Sequence, residues 1–191
     1  MLDSPDTADT IVLYEELAFQ DVLPLRWHDQ PPQPEMATRL AERNLQVLQA
    51  WDALEDHGVI DKPDENAPLA ADIQRLDRKM SLLLGLVGQL LAMNRPRPPA
   101  APVRFNARGA VWRAAQIPPE PDAHGLLEIH LHECLAQPLR LPAQVTAVSP
   151  NGEVKVRFEP LDDALAAVIA KIAFRRHRRQ IAGRHGPNRK V

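Results

Sequence analysis

The feature that most constrains the fold is an apolar stripe between residues 69 and 90, whose members are spaced alternately four and three residues apart. A stripe kept over about three heptads predicts a long helix that packs against other helices. Pro68 precedes the stripe, and the proline-rich run 95–102 follows it and ends the helix. The residues expected at the helical interface are Leu69, Ile73, Leu76, Met80, Leu83, Leu84, Val87, Leu90 and Leu91.

The width of this face indicates self-association. In its second half the positions flanking the stripe are Leu84, Leu86, Leu91 and Met93, which make the face too wide for a two-stranded coiled coil with solvated flanks. Only one other helix, at about 36–56, is predicted nearby, and its stripe has few large residues between Leu40 and Val47. We therefore predict a homo-oligomer, with four chains favoured. A helix that packs on its own domain is the alternative, and parallel or antiparallel orientation stays open.

The segments on either side of the helical region have the pattern of short strands. Residues 11–27 are largely apolar, with β-branched and aromatic members, and a proline-rich linker follows them. Beyond residue 102 we predict a strand around Gly109, a strand of period two at 126–134, and two strands at 139–149 and 153–158. The last two flank Pro150-Asn151-Gly152, a good hairpin turn, and a helix begins near Pro160.

Charge is distributed asymmetrically although the net charge is only −2. Residues 165–191 contain no acidic residue, whereas Arg26 is the only basic residue in 1–35. The two ends are thus expected to attract one another, or the basic tail is free to meet an anion. Nucleic acid is an unlikely partner because aromatic residues make up 4% of the chain and no recognition motif is present.

The sequence predicts a cytoplasmic protein without a membrane span. Its acidic N-terminus lacks the pattern of a secretion signal, and its longest apolar stretch, 82–93, is shorter than the roughly 20 residues that a spanning helix needs.

No motif predicts catalysis, a cofactor or a metal. The chain has no glycine-rich phosphate loop, nucleophile elbow or zinc-protease motif. A strand at 126–134 would place Glu128, His130, His132 and Cys134 on one face, a spacing that suits a transition metal. The polar face of a half-buried strand is the favoured interpretation, since no second ligand segment is evident. We expect no catalytic residue and no metal site.

Two segments, NARGAVW at 106–112 and the run 138–180, resemble parts of a PilZ domain. Residues 138–180 are similar to its second half, in which a hairpin and a "vrF" strand precede an arginine-rich helix. NARGAVW, 106–112, is similar to the strand with the family's G-A step, here Gly109-Ala110. With heptad-bearing helices ahead of it, the chain resembles an atypical, tetrameric subgroup. The resemblance implies a non-enzymatic signalling adaptor in a cyclic di-GMP-linked pathway (motility, pili or virulence), with an unidentified protein partner.

The resemblance also implies where cyclic di-GMP would bind. Members that bind it carry RxxxR and D/N-x-S-x-x-G; with Gly109 as the motif glycine, Arg104 replaces the acid or amide and Asn106 replaces the serine. Literal RxxxR pairs occur at about the frequency that chance gives. The expectation is therefore no binding in the usual way. The alternative is a genuine receptor with an atypical site of Arg104, Asn106 and Arg108.

The expected fold class is α+β, a small antiparallel PilZ-type barrel with a C-terminal helix and two long helices. Four segments follow from this assignment. Residues 1–35 contribute an N-terminal strand region and linker that join the barrel, and 36–95 form an inserted coiled-coil segment. Residues 103–181 form the barrel and closing helix, and 182–191 a basic tail.

Overall fold

Six antiparallel strands close into a barrel in the computed structural model, which describes residues 17–55, 70–94, 97–114 and 117–184. Around the barrel the strand order is β1-β2-β3-β6-β5-β4. The elements in chain order are β1 (Phe19–His28), a 3-10 turn (Pro34–Met36), α1 (Ala37–Glu55), α2 (Ala70–Asn94), β2 (Ala100–Phe105), β3 (Gly109–Arg113), β4 (His124–Ile129), β5 (Leu139–Val148), β6 (Glu153–Phe158) and α3 (Asp163–Arg184).

Strand β1 is part of the barrel on both of its sides. It pairs with β2 from Phe19↔Phe105 to Pro24↔Ala100, and with β4 from Leu25↔Ile129 to His28↔Leu126. The strand predicted within 11–27 therefore lies at Phe19–His28, and positions 11–16 fall outside the described residues. Because β1 and β2 are neighbours, the helical segment leaves and re-enters the barrel at adjacent points. The segment boundaries themselves remain a prediction.

The single strand predicted around Gly109 is wrong, because the chain reverses there and forms two strands. The Asn106 side-chain oxygen accepts hydrogen bonds from the backbone N–H groups of Arg108 (2.8 Å) and Gly109 (3.2 Å). This side chain stabilises the turn between β2 and β3. Glycine is required next to the turn, since a Cβ atom on Gly109 would lie 2.2 Å from the Val156 carbonyl oxygen on β6.

The strand predicted at 126–134 is too long, since β4 ends at Ile129. The His130 N–H still donates to the Pro24 carbonyl (2.9 Å), but proline has no N–H to return the bond, so the ladder stops. A turn follows, closed by a bond from the Leu135 N–H to the His132 carbonyl (3.2 Å). The strand face proposed for Glu128, His130, His132 and Cys134 therefore does not form. Within the described ranges, no three His, Cys, Asp or Glu residues are arranged to hold a metal.

The predicted hairpin and helices are confirmed. Strands β5 and β6 flank the expected turn, in which Gly152 has φ 79°, a value that favours glycine. Helix α1 begins and ends within a residue of its predicted limits, and α2 covers the predicted stripe from residue 70. Helix α3 begins at Asp163, where the Asp162 carboxylate accepts the Leu165 N–H (2.6 Å) as an N-cap.

Helix α1 is held on the barrel by an aromatic cluster and by one buried amide. Trp51 meets the Phe19 ring edge-on at 4.9 Å, and Phe19 lies 5.2 Å from Phe105. The buried Asn44 side chain donates to the Arg140 carbonyl (2.6 Å) and accepts the Arg140 N–H (2.9 Å). These contacts hold α1 against β1 and β5.

Part of the charge asymmetry is used within the fold. Asp52 on α1 pairs with Lys171 (3.0 Å) and Arg175 of α3, and Asp21 on β1 pairs with Arg176 (2.5 Å). The Arg176 guanidinium also lies 5.4 Å from the Phe19 ring centroid, a cation–π distance. The expected attraction between the acidic and basic ends thus involves α3, while residues 185–191 lie outside the description.

A charged cluster centred on Glu128 lies on the outer face of β1, β4 and β5. The buried Glu128 carboxylate lies 2.8 Å from the Arg140 guanidinium, 3.1 Å from His130 Nε2 and 3.4 Å from His28 Nε2. Burial alone would raise the pKa of Glu128, but hydrogen bonds and attraction from Arg140 and His130 outweigh it and lower that pKa. Burial, assisted by the charges of Arg97 and Arg140, lowers the pKa of His130 despite the nearby Glu128 carboxylate.

Neutralising Glu128 is expected to destabilise the barrel. A Glu128→Gln substitution removes the charge that pairs with Arg140, and should lower the free energy of unfolding by about 1–3 kcal/mol. Urea unfolding followed by circular dichroism measures the change. Glu42→Gln, at an exposed position on α1, is the matched control and should leave stability unchanged. Equal stability of the two variants would show that the cluster contributes nothing.

Both pKa shifts predict that acid destabilises the fold. With its folded-state pKa below the ordinary value of 6.5, His130 takes up a proton less readily in the folded than in the unfolded chain, so stability falls as pH drops from 6.5 towards that pKa. The contribution of Glu128 is complete above its ordinary pKa of 4.5 and is lost below it. Urea unfolding midpoints measured at one pH above 6.5 and at a second pH between 4.5 and 6.5 test the contribution of His130. His130→Gln should reduce the difference, and an undiminished difference would contradict the assignment.

Candidate functional site

Among the described residues, the largest group of exposed apolar side chains lies on α2. Large side chains at the six described heptad positions are between 45% and 63% exposed. They are Ile73, Leu76, Met80, Leu83, Val87 and Leu90. Of the remaining predicted interface residues, Leu69 and the Leu91 side chain lie outside the description, and Leu84 is treated below. We call these six residues the α2 seam.

One flank of α2 contacts the turn that follows β4. The Cys134 thiol donates to the Leu84 carbonyl (3.0 Å), and a Cβ on Gly88 would lie only 3.5 Å from the Cys134 sulfur. Burial foremost raises the pKa of Cys134, which keeps the thiol protonated and able to donate. Leu84 is accordingly half-buried on this flank, and its predicted place in the helical interface stays a prediction. Leu82, at heptad position c, is 70% exposed and extends the apolar surface beyond the residues predicted from the spacing.

Helix α1 does not supply a cover for the α2 seam. Its buried residues Val47, Leu48 and Trp51 belong to the core, and the helix packs against α3 and β5. No helix in the described ranges is long and apolar enough to cross a bilayer. Among the described residues of one chain, none covers the seam, and its side chains are exposed.

The second candidate site is the turn between β2 and β3. It brings Arg104, Asn106 and Arg108 together within five residues, as their sequence positions require. Arg104 is half-buried and Arg108 exposed, but Asn106 is only 3% exposed and its side-chain oxygen already accepts two backbone N–H groups. Asn106 is thus committed to the turn and is poorly placed to contact a ligand.

The fold adds one basic residue to this turn that sequence spacing did not indicate. Arg157 of β6 pairs in register with Gly109, and its guanidinium donates to the Gln144 side chain (3.2 Å). Only the pairing of β3 with β6, across more than forty residues of chain, places it there. The fold therefore adds Arg157, together with the Gln144 side chain, to the residues that the sequence predicted at this turn.

Comparison with known proteins identifies a matching family and a similar solved structure. A family model described as an atypical PilZ domain, cyclic di-GMP receptor, matches residues 48–185. A crystal structure of a pathogenic protein from Xanthomonas campestris matches with 29% identity and a TM-score of 0.70, over 93% of this chain and 97% of that one. It is described as a new tetrameric PilZ domain that self-assembles through an unusual helical bundle.

None of the curated proteins matches the chain. The family model nevertheless covers well over half of the residues, and the solved structure shares the barrel together with its helices over nearly the whole length. PilZ domains are binding and signalling domains. The resemblance inferred from the strands and the Gly109-Ala110 step is confirmed, and the chain belongs to the atypical PilZ family.

Proposed function

We propose that this chain is a non-enzymatic adaptor that assembles as a tetramer through α2 and acts in a cyclic di-GMP-linked pathway. The pathway controls motility, pili or virulence, and the adaptor works in the cytoplasm by contacting a signalling protein. The observation that carries the proposal is the α2 seam, six large apolar side chains left exposed in a single chain.

Burying the seam strongly favours association. Each large apolar side chain removed from water contributes about 1.5–3 kcal/mol, so leaving six in solvent is costly. Ile73, Met80 and Val87 occupy heptad position a, and Leu76, Leu83 and Leu90 occupy position d. The barrel approaches α2 at Leu84 and Gly88, on one flank, which leaves the seam accessible to other chains.

Four chains bury this surface better than two. Leu86 and Met93 at position g are 56% and 82% exposed, and a two-stranded coil would leave them largely in water. A four-helix arrangement brings such flanking positions into the shared core. The helical bundle of the tetrameric Xanthomonas campestris protein, to which this chain is similar, supports the same number.

Charges placed in the seam should abolish assembly. The wild-type chain is expected to sediment at four times its mass of 21.3 kDa at micromolar concentration. Leu83→Asp together with Val87→Asp puts two carboxylates per chain into the shared core, where they lack both water and partners. Analytical ultracentrifugation should show this variant as monomer or dimer.

A double variant with the same added charge separates the seam from the helix as a whole. Ser81→Asp with Gln89→Asp alters exposed polar positions of α2 and should remain tetrameric. A wild-type chain that sediments as a monomer would refute the proposal, as would tetramers that survive charges in the seam.

We further infer that cyclic di-GMP is not bound in the family's usual way. Arg104 and Asn106 replace the acid or amide and the serine of the motif, and the Asn106 oxygen is occupied by backbone donors. Arginines alone then remain to hold a doubly charged ligand. The alternative, a receptor with an atypical site of Arg104, Asn106 and Arg108, is favoured by the description of the matching family as a cyclic di-GMP receptor.

Calorimetry distinguishes the absence of cyclic di-GMP binding from a receptor with an atypical site. Titration of the wild-type chain with cyclic di-GMP should give no binding heat in the low micromolar range, because the acceptors for the guanine edge are missing. Binding that is lost in Arg104→Ala but kept in Arg39→Ala would establish the receptor alternative. Arg39 is exposed on α1 and serves as the control for a general loss of positive charge.

A further inference from the structure

A cavity of about 660 Å³ opens at the end of the barrel away from the Phe19–Trp51 cluster. At the strand rise of roughly 3.3 Å per residue, Trp27 lies about 26 Å along β1 from Phe19. Trp27 and Trp112 form one wall of the cavity, and Pro98, Pro99 and Ile117 lie at its edges. We call this cavity the barrel mouth. It is separate from both the α2 seam and the turn at Asn106.

The mouth is open because the sheet is incomplete there. The ladder between β1 and β2 ends at Pro24↔Ala100, and one long bond from the Leu25 N–H to the Pro99 carbonyl (3.4 Å) continues it. Pro98 and Pro99 have no N–H and cannot extend the ladder. From Leu25 to His28, β1 pairs with β4 on one side, while its other side borders the mouth.

The aromatic wall is held in place before any ligand arrives. The Trp27 and Trp112 rings are stacked, with centroids 6.3 Å apart and planes at 26°. The Trp27 indole N–H donates to the Asp29 carboxylate (2.8 Å), and its ring lies so close to Gly125 that a Cβ there would come within 2.4 Å of it. A fixed aromatic surface of this kind stabilises bound proline and aliphatic side chains without a further loss of rotamer entropy.

The charges at the mouth favour a weakly charged ligand. Arg26 and Arg113 line it together with Asp29 and Glu120, so the formal charges cancel. A dinucleotide or another polyanion gains nothing from such a lining. An extended peptide is suited to it, because it brings backbone hydrogen-bonding groups for the side of β1 that borders the mouth and apolar side chains for the tryptophan wall.

We propose that the barrel mouth is a docking groove for an extended, proline-containing segment of a partner protein. The segment lies beside Leu25–His28 of β1, where β2 no longer pairs, and places an apolar side chain against Trp27 and Ile117. Ile117 is 95% exposed, as a residue awaiting such a contact would be. The inference rests on the proposed adaptor function and identifies the surface with which the adaptor holds its partner.

The test uses peptides selected from a phage-displayed random library on the full-length chain and then synthesised. The chain contains three tryptophans, so 5-fluorotryptophan labelling gives three fluorine signals, assigned with single Trp→Phe variants. Bound peptide should shift the signals of Trp27 and Trp112 and leave that of the buried Trp51 unchanged. Selected peptides should share proline and aliphatic residues.

Ile117→Asp should weaken peptide binding about tenfold, the loss expected for a central contact residue. Val22→Asp, at an exposed position on β1 outside the mouth, is the matched control and should bind as the wild type. Selected peptides that bind Ile117→Asp as tightly as wild type, or that shift only Trp51, would overturn the proposal. So would a failure to select any peptide.

Two further results would show that the barrel mouth binds something other than a partner protein. A synthetic peptide of residues 28–36 that displaces the selected peptides would make a second copy of this chain the occupant. Small apolar compounds that shift Trp27 and Trp112 when no peptide does would make the mouth a small-molecule site. Sedimentation of the same preparations distinguishes failure of the docking groove from failure of the proposed assembly. Tetramers that bind no peptide refute only the groove. Monomers that bind peptide refute only the tetramer.

Discussion

The structure depends on the pairing of β1 with strands on both of its sides. Residues 19–28 meet β2 after a gap of more than seventy residues and β4 after about a hundred, so the barrel closes only through long-range contacts. That closure fixes where the helical segment departs and returns. It also brings Phe19 against Trp51 and Phe105, and Asp21 against Arg176, so that α1 and α3 are both anchored through one strand.

When the barrel closes, α2 contributes no side chain to its described core. The buried side chains of α1 are used on the barrel, and α2 contacts the barrel at Cys134, through Leu84 and Gly88. A helix held at one flank leaves its a and d positions exposed to solvent. Under the proposed assembly other chains cover this face, and folding of the barrel and association of the helices are then separate energetic problems.

The sequence predicted those parts of the fold that local chemistry determines. The spacing from Ile73 to Leu90 predicted α2, and Asn151-Gly152 predicted the hairpin of β5 and β6. It failed where one strand limits another: Pro24 ends β4 at Ile129 although the period-two pattern runs on to Cys134, and Asn106 reverses the chain inside an apolar run. Arg157 was missed for the same reason, since only the pairing of β3 with β6 places it opposite Gly109.

The two proposed surfaces lie at different places on the chain, and this separation has a physical use. A short extended peptide on an aromatic wall binds weakly by itself, because it must be ordered when it binds. Four chains joined through α2 would carry four barrel mouths, and a partner with repeated proline-containing segments would engage several of them at once. Once one segment is bound, each further segment binds at a high effective concentration. The avidity of the tetramer then exceeds the affinity of one mouth by a factor on the order of 10²–10⁴. Assembly would in this way convert a weak docking groove into a stable adaptor without any change to the groove.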